Sequence, residues 1–82
     1  MMAYPKVGDV VKFTYWQSHR MHIIEAEVMG SKRNPHKPAV FSGRGGFVGC
    51  YVKNILNNRV QAVPWTSDDA VVDMKILQEV VG

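Results

Sequence analysis

The sequence predicts a mainly β fold: a small five-stranded antiparallel barrel with a short helical turn before its last strand. Three observations predict it. Short stretches rich in Val, Ile, Phe and Tyr alternate apolar with polar residues, the period of a half-buried strand. Gly8, Gly30, Asn34-Pro35, the glycines from 43 to 46 and Asn57-Asn58 punctuate those stretches as turns. The chain has 82 residues, the size of one domain spanning 1–82, and its 46% hydrophobic share is too high for a disordered chain.

Taken in order, Val7-Gly8-Asp9 is a turn into Val10–Trp16, where Val11, Phe13 and Tyr15 alternate with Val10, Lys12, Thr14 and Trp16. Gln17 to Arg20 is polar and reads as a loop. Met21 to Met29 returns as a strand, with Ile24, Ala26 and Val28 against Glu25 and Glu27; Gly30 would cut a helix short there. Gly30 to Pro38 is a loop, because Asn34-Pro35 and Lys37-Pro38 push the residue before each proline out of helical geometry. Ala39-Val40-Phe41 has the make-up of a short strand. Phe47 to Leu56 is a longer one, with Val48, Cys50, Val52 and Asn54 on one side and Phe47, Tyr51 and Ile55 nearer the other. Asn57-Asn58 predicts a two-residue hairpin turn, since Asn tolerates positive φ. Arg59 to Val63 is the returning strand, and Pro64 restricts it to an edge or an end.

The last segment carries two signals. Thr66-Ser67-Asp68-Asp69 has the chemistry of a helix start, yet Val71 to Ile76 alternates and is β-branched. The expectation is one helical turn near 67–71 and a final strand over 72–80; the alternative is an α+β fold with a C-terminal helix over 68–80.

Val7-Gly8-Asp9-Val10-Val11-Lys12-Phe13, followed after a loop by Ile24-Glu25-Ala26-Glu27-Val28-Met29-Gly30, resembles the opening hairpin of small Src-homology-type β-barrels. KOW and Tudor modules begin in a similar way, and the Pro64-Trp65 ending is similar to their closing pattern. The glycine usual after the first strand is replaced here by Gln17-Ser18-His19-Arg20. The resemblance implies a barrel and points to binding rather than catalysis.

Apolar runs such as Val10-Val11 and Ile23-Ile24 are far too short to span a bilayer, and Met1-Met2-Ala3-Tyr4-Pro5-Lys6 lacks a signal-peptide core. Cys50 is the only cysteine, so it closes no disulfide within the chain. The expected setting is cytoplasmic, with no membrane partner. Net charge is +3, but unevenly spread. Lys32, Arg33, Lys37, Arg44, Lys53 and Arg59 occupy residues 28–67 without one acid, whereas Asp68, Asp69, Asp73 and Glu79 crowd the end against Lys75.

That basic, glycine-rich middle suggests a non-catalytic nucleic-acid-binding module. Lys32, Arg33, Lys37, Arg44 and Lys53 would neutralise phosphates, and Phe47 and Tyr51, with Phe41 near them, would stack on unpaired bases. Gly43, Gly45 and Gly46 would let backbone amides approach a phosphate; otherwise they simply form a solvated hairpin tip. The alternative is a protein–protein interaction or inhibitor module, such as a phage or plasmid accessory protein, docking through Tyr15, Trp16 and Trp65. Those tryptophans would equally serve to cap a core.

No enzyme signature emerges, and no cofactor or metal is expected. Val48 breaks the dinucleotide fingerprint, and no Gly-Lys-Ser/Thr ends a phosphate loop. His19, His22, His36 and Cys50 lack the spacing of a zinc site. Cys50 has no neighbouring base, and Glu25 with Glu27 is most simply the wet side of a strand.

Overall fold

The computed structural model describes residues 4–80; Met1 to Ala3, part of the N-terminal stretch read as lacking a signal-peptide core, and Val81-Gly82 lie outside it. The chain forms six strands, one more than the five expected, because the short 40–42 segment also pairs into the sheet: β1 (Val10–Gln17), β2 (Arg20–Val28), β3 (Val40–Ser42), β4 (Val48–Asn54), β5 (Val60–Pro64) and β6 (Val71–Gln78). All pairings are antiparallel and run β6-β1-β2-β4-β5. The short β3 pairs with the first half of the β4 edge, whose second half pairs with β2. The sheet curls into a half-barrel. Among the described residues no ladder joins β5 to β6, so the curl stays open.

Alternation builds the core. Val11, Phe13 and Tyr15 of β1 point inward and meet Ala26 and Val28 of β2, Cys50 and Val52 of β4, Val63 of β5 and Met74 of β6. Each large side chain so buried contributes about 1.5–3 kcal/mol by leaving water. A one-residue slip in any ladder would turn that set out to solvent, which holds the register. Trp65, just past β5, closes one end of the core, and its backbone N–H donates to Val48 O at 2.8 Å. At the other end Asp9 is fully buried: its carboxylate takes the Lys6 N–H and the Val80 N–H, both at 2.8 Å.

The connections differ from expectation in three places. Ser18 and His19 both adopt positive φ (54° and 63°), so the β1–β2 loop tightens to a two-residue hairpin turn whose twist suits the strands. The β4–β5 turn is longer than Asn57-Asn58: β4 ends at Asn54, and residues 55–59 form the loop. Asn54 turns inward and its Oδ1 accepts the Leu56 N–H, while Asn58 takes the positive φ of 58°. Before β6, the expected helical turn takes the form of two hydrogen-bonded turns, Asp68 N–H to Trp65 O and Val71 N–H to Asp68 O. The alternative helix over 68–80 is overturned. β6 pairs with β1 and seats Met74 in the core, and β1 would otherwise leave a whole edge unpaired. The single 3-10 turn among the described residues is Arg44–Gly46. No helix of the described residues is long and apolar enough to cross a membrane.

Candidate nucleic-acid interface

The inward set of β4 leaves Gly49, Tyr51 and Lys53 on its outer face. Gly49 stands opposite Phe41 of β3. A Cβ there would lie 2.5 Å from Phe47 Cε1 and 2.8 Å from Phe41 Cζ, so both rings rest on bare backbone. Phe41 stacks on Tyr51 with centroids 4.7 Å apart and planes 25° off parallel, and Phe47 tilts against Phe41 at 5.9 Å and 52°. Tyr51 remains 45% exposed. Three aromatic rings, one of them open to solvent, thus form a platform on the sheet.

The same strand sets the position of the basic loop. Tyr51 N–H donates to Ala39 O, and Tyr51 O accepts the Met29 N–H, so both ends of the 30–38 loop are tied to one residue of β4. Within the loop, Ser31 N–H donates to Lys37 O, and Asn34 Oδ1 accepts the His36 N–H. These bonds hold Lys32, Arg33 and Lys37 in a closed turn, with all three side chains exposed. A groove of about 450 Å³ opens between loop and platform, walled by Met29, Lys32, Val40, Phe41, Tyr51 and Val60, with no acid in its lining.

Of the residues expected to contact nucleic acid, Lys32 and Tyr51 meet in this groove, and Phe47 supports Phe41 beside it. Arg33 and Lys37 project from the same loop. Lys53 lies two residues beyond Tyr51, at the ladder position directly opposite Glu27. Arg44 is exposed in the 3-10 turn next to Phe47.

The glycine part of the expectation fares differently. Gly45 and Gly46 take positive φ (69° and 82°), the demand of the turn itself. They share a pocket of about 320 Å³ with Asp68 and Asp69, where an anion would meet two carboxylates. Asp68 Oδ2 already takes the Val48 N–H, and its Oδ1 takes the Ala70 N–H. A phosphate is better received by the loop cations than by these glycines.

The aromatic-edge alternative also separates. Tyr15 and Trp65 are core residues, 3% and 7% exposed, and present no docking surface. Tyr15 falls on the inward side of β1 and stacks on His22 at 5.3 Å. Trp16, one residue on, points outward; it pairs across β2 with Met21, and Ile23 is exposed on the same strand.

Burial pushes the Cys50 thiol up to about 12, partly offset by the Ala39 backbone, so it holds its proton at neutral pH. Glu25 and Glu27 face Lys12 and Lys53 across the ladders, the arrangement of stabilising cross-strand pairs. His22 is taken up by its ring stack and by Gln17 O, and no three His, Cys, Asp or Glu side chains gather among the described residues.

Met29 and Val60 as groove walls, Gly49 as the platform floor and Asp9 as a buried clip escape a linear reading. A lone glycine inside a strand is the signal that could have found Gly49. No protein-family profile, characterised protein or solved structure matches this chain.

Proposed function

We propose that this chain is a non-catalytic, cytoplasmic module that binds single-stranded nucleic acid across the outer face of β4. The observation that carries the proposal is the half-exposed Tyr51 ring, stacked on Phe41, at the floor of a groove that holds Lys32 and no acid. Unpaired bases stack on such rings at about 1–3 kcal/mol each, while a basic loop tracks the phosphates. Lys32, Arg33 and Lys37 supply that loop, and Arg44 stands exposed in the turn before Phe47 as a further cation. A duplex, whose bases are already stacked on one another, would use the cations but not the platform.

Fluorescence anisotropy with a labelled mixed-sequence single strand at about 50 and 200 mM salt tests this. Neutralising four phosphates predicts about 50-fold weaker binding across that range, and a weaker complex with duplex of equal length. Absence of binding at the lower salt would overturn the proposal.

A second reading rests on Trp16, 51% exposed beside Met21 and Ile23, 44% and 61% exposed. This apolar strip on the outer face of β1 and β2 suits a protein partner, and its binding would respond weakly to salt.

A further inference from the structure

β6 pairs with β1 on one side and, among the described residues, with no strand on the other. Proteins usually guard a free edge with proline, short length or charge, since its open amides and carbonyls invite another strand. The free edge of β5 is five residues long and ends in Pro64. That of β6 is eight residues long, contains no proline, and leaves Val72 50% and Leu77 43% exposed.

The order of side chains along β6 is the further observation. Val71-Val72-Asp73-Met74-Lys75-Ile76-Leu77 has the same character in either direction about Met74: two apolar residues, a charge, the methionine, the opposite charge, two apolar residues. An antiparallel pair of two such strands centred on Met74 sets each Asp73 opposite the other copy's Lys75, and each Val72 opposite the other copy's Ile76. The stretch from Asp73 to Ile76 is the part of β6 in regular register with β1; the register shifts lie outside it. Within the chain, Lys75 faces Lys12 across the β1 ladder, a like charge, and Asp73 faces Thr14. Neither has an opposite charge as its direct β1 partner, and a second copy would provide one for both.

We propose that the free edge of β6 is a self-association surface: two copies join β6 to β6 about a two-fold axis through Met74, making one continuous sheet. Such a contact uses the same patch on both partners and closes on itself, so it yields a dimer rather than a fibre. It is independent of the nucleic-acid proposal.

Sedimentation equilibrium of the full chain over about 1–500 μM tests it, with circular dichroism confirming that each variant keeps its β signature. The wild type is expected to approach twice the monomer mass and to dissociate on dilution. Asp73→Lys and Lys75→Asp each set like charges against one another and should weaken the dimer at least tenfold. The double variant, with the two charges exchanged, should restore it. Both side chains are exposed, so the fold should survive all three changes. A wild type that stays monomeric throughout, a dimer indifferent to both single changes, or a double variant no better than the singles would each overturn the proposal.

Discussion

The backbone N–H of Val80 donates to Asp9 Oδ1 at 2.8 Å, joining the turn before β1 to the segment after β6 across a sequence separation of 71. The other carboxylate oxygen of Asp9 takes the Lys6 N–H at 2.8 Å, and its carbonyl takes the Val28 N–H at 3.0 Å. One buried residue thus pins both ends of the described chain to the end of β2. Hydrogen bonds to a buried charge contribute about 1.5–3 kcal/mol each, so Asp9→Ala should cost about 3 kcal/mol or more. In a domain of this size that lowers Tm by roughly 12–24 °C, readable by thermal circular dichroism. Asp9→Asn, which keeps one acceptor, should lie between; a shift below a degree in both would show the clip to be dispensable.

Removing the exposed ring of the platform separates stacking from charge. Tyr51→Ala should weaken single-strand binding by about 1–3 kcal/mol, roughly 5- to 150-fold, with little change in salt slope. Tyr51→Phe should bind nearly as the wild type does. Equal loss in both variants would mean that the phenol hydroxyl, not the ring face, makes the contact.

The cations should behave in the opposite way. Each of Lys32 and Arg33 that meets a phosphate contributes about 0.7 to the slope of log affinity against log salt for a single strand. Changing both to Ala should reduce the slope by about 1.4 and leave thermal stability near that of the wild type, since both side chains are exposed. An unchanged slope would remove the 30–38 loop from the interface.

Gly49 tests whether platform geometry and fold are coupled. A methyl group there runs into Phe47 and Phe41, and crowding of this kind costs about 1–3 kcal/mol. Gly49→Ala should therefore lower Tm and weaken single-strand affinity together. Added Phe47→Ala should recover part of the stability, because the nearer of the two clashing rings is gone.

Cys50 gives the alkaline limb of stability its slope. Its thiol ordinarily ionises near 9 and is pushed up to about 12 in the core. Below about pH 9 both folded and unfolded chains keep the proton, and stability is unaffected. Above that, only the unfolded chain releases it, so stability falls by at most about 1.4 kcal/mol per pH unit up to pH 12. Burial raises the Tyr15 phenol as well, opposed by its hydrogen bond with Gln61, and adds to the fall above its ordinary value of 10. Urea midpoints from pH 8 to 11 should decline less steeply in Cys50→Ala than in the wild type.

Elements written in nearest neighbours were legible from residue order. Val11, Phe13 and Tyr15 alternate inward as their spacing requires, Pro64 sits on an edge strand, and Cys50 and Val52 share the buried side of β4. The final segment is half legible: its alternation specifies strand β6, but Thr66 to Asp69, with the chemistry of a helix start, forms hydrogen-bonded turns and no helix. Asp68 spends its carboxylate on Val48, twenty positions away, and that partner is invisible in sequence.

By itself, then, the sequence determined which residues alternate, where turns fall and where charge accumulates, because strand period, turn chemistry and charge are local properties of the chain. Tertiary structure decided what those residues do. It sent Trp65 inward and Trp16 outward, set Asp68 and Asp69 beside the glycines, and gathered Lys32, Phe41, Tyr51 and Val60 around one groove. The reason is the sheet order: β4 touches β2, β3 and β5 at once, so a site on its outer face draws on segments whose proximity exists only after the ladders have paired.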